Sequence, residues 1–427
     1  MRRWRRNAAV LSAAALVAVA CGTPTPPAPP AQAPAGLVPV TVEVPPAFAR
    51  SPFDTARQAL VPPGWTMAVW TRIPNARLAA WAPDGTLLVS VPADGKVLRL
   101  APDANNAPRQ SVLLEGLNAP HGLAFEGATL YVAESDAVAA YTYADSAATA
   151  RRVAAAHLPD DRSADLGGAY AHALKSVAVG RDGAVYFSIG STGNASPEDR
   201  GATPERATIM RIPPEGGPFG VFARGVRNGT GLAIAPDGSV WTAVNNRDNV
   251  AYPYPGPTYG QVVAYYVNDH PPESMARLTA GRDLGWPYCN PDGDGATPPF
   301  IRDVQTNPDG SRLDCGALAR IEQTAGAHAA PLGLSFVGGR LPAPYAQGAL
   351  VGVHGSWNRE PPRAPEVSFF PWQNGTLGNQ QTLVGGFQAP DGSRWGRPVA
   401  AVLGPDGAIY VTDDYAGAVY RVAPPGR

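Results

Sequence analysis

Residues 176–190 read SVAVGRDGAVYFSIG: an apolar run, a tight Asp-Gly turn and a second apolar run. Asp-Gly between alternating apolar residues marks a β-hairpin, because glycine enters the left-handed region without steric cost. The same grammar recurs in LAAWAPDGTLLVSV (78–91), GLAIAPDGSVWTAVN (231–245) and AVLGPDGAIYVTDD (401–414). Two further segments carry it with a degenerate turn, GLAFEGATLYVAE (122–134) and GLSFVGGRLPAPYAQGALVGVH (333–354). Six such units, with outer strands expected at Thr66–Thr71 and Gln261–Val267, predict an all-β chain folded as a six-bladed β-propeller over residues 47–427. The turn markers Asp237 and Gly338 lie 101 residues apart, which predicts an inserted loop region over about 251–330. That region holds Cys289 and Cys315, and no clean hairpin.

Composition narrows the function classes. The 427 residues carry 34 Lys and Arg against 35 Asp and Glu, with only 16% charged, so neither a disordered polyampholyte nor a nucleic-acid binder relying on bulk positive charge is indicated. Gly and Pro number 47 each, which suits a chain dense in turns. Phosphate-loop, dinucleotide and Cys/His zinc spacings are missing from the sequence.

The N-terminus reads as an address. Arg2, Arg3, Arg5 and Arg6 precede the apolar run Ala8–Ala20, too short to span a bilayer but suited to a signal peptide over residues 1–20. Small residues before Cys21 resemble a bacterial lipobox, so Cys21 is the expected lipidation site and the protein is expected to be exported and anchored at the cell envelope. Membrane contact is expected through that anchor alone. The Pro-rich stretch 21–46 reads as an extended tether. With Cys21 lipidated, Cys289 and Cys315 remain as an even pair in an exported protein, and a disulfide is expected.

In a propeller, the loops next to the inner strands gather at one mouth of the axis. His121, His172, Arg227 and Arg397 stand just before hairpins, and Asn245-Asn246-Arg247-Asp248, His354 and Arg359 just after them. A convergent set of imidazoles, guanidiniums and amides without cysteine ligands suits an anionic, oxygen-rich ligand. His121 and His354 are thereby cofactor-contact candidates.

The pattern resembles the soluble pyrroloquinoline-quinone (PQQ) sugar dehydrogenases, a family that includes glucose, aldose and sorbosone dehydrogenases, over about residues 70–427. His172 with the Gly180–Gly190 hairpin resembles the family's catalytic-histidine element. Gly225-Val226-Arg227-Asn228 resembles its Arg-Asn element, and Gly285-Trp286-Pro287 its Gly-Trp-Pro turn. The 245–248 and 354–359 elements look most like the sorbosone-type branch. The resemblance implies a dehydrogenase that oxidises an aldose or sorbosone-type sugar by hydride transfer to PQQ. It makes His172 the general base and Arg227 the stabiliser of charge on the quinone, with Asn228, Asn245, Arg359 and Arg397 as cofactor contacts. It also implies Ca²⁺ held by backbone carbonyls near Asn246 and Arg247, with Asp248, and electrons passed to a separate acceptor. Asn245 replaces the glutamine of glucose-type members, and Arg359 stands where those members carry a lysine.

Two other readings compete. One is a Ca²⁺-dependent lactone or ester hydrolase using Glu134, Asp248, Asp413 and Asp414. The other is a propeller that binds a partner without chemistry. The run Asn290-Pro-Asp292-Gly-Asp294-Gly295 opens like a Ca²⁺ loop, but Ile301 stands where an EF-hand needs Glu. Trp286 and Trp357 are candidates for stacking on a sugar ring.

Overall fold

The computed structural model describes residues 36–103, 107–163, 166, 168–293 and 295–426. The expected signal peptide and Cys21 lie outside the described residues, as does Asp294. The expected tether overlaps the folded part. Val38–Thr41 is a strand paired antiparallel with Gln58–Val61, so order begins before residue 46. The alternation VPVTV accounts for it, and Val42 ends buried.

Six antiparallel sheets surround an axis. Numbered by their inner strands, blade 1 runs Ala79–Trp81, Leu87–Val91, Lys96–Ala101 and Arg109–Leu114. Blade 2 runs Gly122–Glu126, Thr129–Ala133, Val138–Ala144 and Ala147–Ala155. Blade 3 runs Val177–Val179, Val185–Ile189, Thr208–Ile212 and Gly220–Arg224, and blade 4 runs Gly231–Ile234, Val240–Val244, Pro272–Leu278 and Gln323–Ala327. Blade 5 runs Pro331–Gly338, Gln347–Val353 and Glu366–Gln373, with Gln381–Val384 at its edge. Blade 6 uses Pro398–Leu403, Ile409–Asp413 and Ala418–Ala423 and is completed by the early strand Thr66–Arg72.

The Asp-Gly turns work as their chemistry requires. Asp84, Asp182, Asp237 and Asp406 each accept, through Oδ1, the backbone N–H two residues on. The glycines between them sit at φ of 79–88°, where a Cβ would be strained.

The inserted region needs a correction. The expected strand Gln261–Val267 is not one; Ala264–Val267 is a single helical turn, and prolines at 253, 255 and 257 remove ladder donors before it. The third and fourth strands of blade 4 lie inside the expected insertion and split it into loops 245–271 and 279–322. In the second loop Arg282–Asp283 pairs parallel onto the edge of blade 3, and Cys289–Pro291 pairs with Phe300–Arg302. The expected disulfide Cys289–Cys315 is formed, with Cα atoms 5.7 Å apart.

Apolar side chains fill the space between blades. Where blade 6 meets blade 5 and the N-terminal strands, Met67, Phe369, Phe387 and Tyr420 are almost fully buried. Each such side chain contributes about 1.5–3 kcal/mol by leaving water. The inner strands of all six blades contribute to one axial pocket, from Leu78 and Leu123 through Val177, Leu232 and Leu334 to Ala400. No helix among the described residues is long and apolar enough to cross a membrane.

Candidate active site

The loops that enter the inner strands lie on the same face as those joining second to third strands. Arg77, His121, His172, Arg227, His328 and Arg397 each precede an inner strand by at most five residues, one per blade. Four of them, His172, Arg227, His328 and Arg397, line one cavity with about 640 Å³ of empty space. Asn245, Asp248, Glu273, His354, Ser356 and Trp357 join them.

His172 is fixed by its neighbours. Its Nδ1 lies 3.0 Å from the carbonyl of Ser191 and 2.9 Å from Ser191 Oγ. That hydroxyl donates to the carbonyl of Gly193, so both partners of Nδ1 accept. We therefore assign the proton to Nδ1, which leaves a lone pair on Nε2. Burial, reinforced by the Arg227 charge, pushes the ring's pKa down to about 3, and the imidazole is neutral. Gly190 permits the approach: a Cβ there would stand 2.5 Å from His172 Cβ.

Arg227 is buried beside it. Its Nη1 donates to the carbonyls of Asn245 and Asn246, and its Nη2 donates to Asn194 Oδ1. Its Nε is buried without a hydrogen-bond partner. Asn194 also accepts from Asp248 N and donates to the Asp248 carbonyl, so one amide ties the blade 3 and blade 4 loops together. Arg397 enters from blade 6, donating to the carbonyls of His354 and Gly355. His354 bonds Asp414 at 2.8 Å. Burial raises the Asp414 carboxyl, but the His354 hydrogen bond and the charges around it outweigh that and hold it at about 2.

Among the expected residues, His172, Arg227, Asn245, Asp248, His354 and Arg397 meet in the cavity, and the others are placed elsewhere. His121 is 0% exposed with Nδ1 against the Lys175 carbonyl, and it does not line the cavity. Asn228 packs against Gly190, outside the lining residues. Arg359 is turned away to Asp269 and to the carbonyls of Asn268 and Pro361, because residues 268–269 supply a carboxylate and a carbonyl and its own loop a second carbonyl. Of the expected metal contacts, the Asn246 carbonyl accepts from Arg227 Nη1. The Arg247 side chain leaves for Asp303 and Gln305 in the 279–322 loop. The hard oxygens facing the cavity include the carboxylates of Asp248 and Glu273, and no cluster of three or more His, Cys, Asp or Glu among the described residues is placed to hold a metal.

Glu273, His328 and Asn194 were not foreseen. Glu273 is 4% exposed, and burial, together with the Asp248 charge, pushes its carboxyl up to about 7. His328 obeys the rule that exposes its counterparts, since it stands three residues before the blade 5 strand; Glu273 and Asn194 carry no such signal.

The expected hydrolase carboxylates are committed elsewhere. Glu134 accepts from Asn118 N and Arg151. Asp413 accepts from the backbone of Arg397 and Ala416 and from Tyr420. Asp414 lies between Arg77 and His354, leaving Asp248 alone of the four in the cavity. Trp286 is buried, with Nε1 on the Asn194 carbonyl, while Trp357 is 73% exposed at the cavity rim.

The six-bladed propeller is the fold of solved PQQ sugar dehydrogenases to which the chain is similar. The chain belongs to the TrAA12-like family, which matches residues 59–424. It is similar in fold to the holo form of the pyranose dehydrogenase PQQ domain from Coprinopsis cinerea, with 19% identity, a TM-score of 0.72, and coverage of 86% of this chain and 97% of that one. The calcium structure of the Trichoderma reesei family AA12 enzyme gives 18% identity, a TM-score of 0.71, and coverage of 86% and 96%. The PQQ-bound aldose sugar dehydrogenase of Streptomyces coelicolor gives 15% identity, a TM-score of 0.53, and coverage of 85% and 100%. In sequence, an uncharacterized protein of Borreliella burgdorferi is 37% identical over 99 residues, 22% of this chain and 26% of that protein's length.

Proposed function

We propose that the protein is a PQQ-dependent dehydrogenase that oxidises an aldose or related sugar, with His172 as general base. One observation carries this: the unprotonated Nε2 of His172 shares a buried cavity with Arg227 and Arg397. The donor set fits a polycarboxylate. Two guanidiniums, entering from blades 4 and 6, line the same cavity, and the orphaned Arg227 Nε still lacks an acceptor. Bound there, PQQ supplies an o-quinone that accepts hydride.

The chain's own residues do the rest. His172 Nε2 takes the proton of the anomeric hydroxyl as the carbon–hydrogen bond gives up its hydride, so the sugar loses two electrons and two hydrogens and leaves as a lactone. Ser191 keeps the ring in the productive tautomer. Arg227, lining the same cavity, would offer its positive charge to a bound quinone. Any Ca²⁺ would be held by Asp248 with backbone carbonyls near Asn246 and Arg247, oxygen ligands of the hard kind the cation prefers. The electrons then pass to a separate acceptor, and residues 1–21 support work at the cell envelope on a Cys21 anchor.

The test is reconstitution. Apoprotein should oxidise aldoses with a dye acceptor when PQQ and Ca²⁺ are both present, and stop when a chelator is added. No turnover across a panel of aldoses and sugar aldehydes would discard the reading.

A further inference from the structure

Beside the active cavity, on the same face, lies a second and larger opening with about 1020 Å³ of empty space. Arg57, Asn75, Arg394, Asp414 and Tyr415 are among its lining residues. Two groups join the openings. Asp414 lines the groove while its Oδ1 holds His354, which lines the cavity. Arg394 lines the groove while its Nη2 donates to the carbonyl of Ser356 in the cavity wall. Each opening also has one bare aromatic ring: Trp357, 73% exposed, in the cavity, and Tyr415, 58% exposed, in the groove.

The charges in the groove are largely committed. Arg72, which also lines it, donates to the carbonyls of Phe48, Arg50, Ser51, Ala416 and Gly417. Arg394 donates to Gln388, Ser356 and Arg363, and Asp414 is paired with Arg77 and His354. What faces the opening is an aromatic face flanked by the Asn75 amide and the Arg57 guanidinium, of which only Nε has a protein acceptor. A flat ring beside polar groups that both donate and accept matches a neutral pyranose, which presents an apolar C–H face and a belt of hydroxyls.

We propose that this groove is a second sugar subsite, so that the preferred substrate is an oligosaccharide whose reducing-end ring enters the cavity while the next ring rests on Tyr415. This deepens the dehydrogenase reading and rests on it for the first ring only. The test compares glucose with maltotriose and cellotriose in the reconstituted enzyme, for wild type, Tyr415→Ala and Tyr415→Phe. At least one trisaccharide should show a KM raised roughly tenfold by Tyr415→Ala, with glucose KM and all kcat values unchanged and with rescue by Tyr415→Phe. Unchanged trisaccharide KM values, or equal rises for glucose, would overturn the subsite. Calorimetry of maltotriitol and cellotriitol, which cannot be oxidised at a reducing end, on the protein without cofactor separates the two readings. Binding weakened by Tyr415→Ala supports the groove even where no sugar is turned over, and no binding to wild type counts against it.

Discussion

His172 concentrates the chemistry of the molecule in one ring, held by a serine that offers it only acceptors. Replacing it with alanine should lower kcat by about 10²–10⁴-fold while leaving the melting temperature within a few degrees, as steady-state kinetics and circular dichroism would report. The same burial has a cost in acid. His121 and His172 both stay neutral in the folded chain down to about pH 3, whereas in the unfolded chain an imidazole takes up its proton near 6.5. The unfolded state therefore binds more protons between those values, and the stability present above about pH 6.5 is lost as pH falls toward 3. Calorimetric melts across that range should show the decline, and His121→Gln should flatten part of it. His121 stands ahead of its blade just as His172 does, yet it is sealed from the cavity. Sequence position alone could not separate the two, because which loop residue reaches the axis depends on how neighbouring blades pack over it.

At the scale of elements, the loop 279–322 braces the site from outside. Arg200 forms a two-point pair with Asp283 and reaches the Trp286 carbonyl, and Arg247 is buried against Asp303. Asp303→Ala leaves the buried Arg247 guanidinium without its carboxylate, with only Gln305 still accepting from it, and should cost about 3–5 kcal/mol, read from denaturant unfolding. Replacing Cys289 and Cys315 together with serine should cost about 3 kcal/mol, as expected for a closed loop of this length, without moving His172 or Arg397. The hairpins of this fold were legible wherever Asp-Gly stood between apolar runs, and the two degenerate turns fell into place with them. Legibility failed in blade 4. There Pro272–Leu278 and Gln323–Ala327 are strands separated by a long excursion, so no turn announces them. Arg359 misled for a related reason: its loop lies beside the site, but a nearby aspartate claims it.

For the whole molecule, the decisive feature is how the ring closes. Thr66–Arg72 pairs with Ala418–Ala423, so a strand from the start of the propeller completes the blade made by its end. Removing residues 1–35 should leave the melting temperature nearly unchanged. Removing residues 1–72 should strip blade 6 of its outer strand, expose Val422 and Tyr420, and give an aggregating product by size-exclusion chromatography.

That closure also dictates an order of events. Because residues 66–72 are made early and residues 418–423 late, no unfinished polypeptide can seal the circle. Until the final hairpin has been synthesised, the early segment stays without its neighbour, and the axial mouth stays open on one side. The cavity around His172 is therefore completed only once the whole polypeptide has been made.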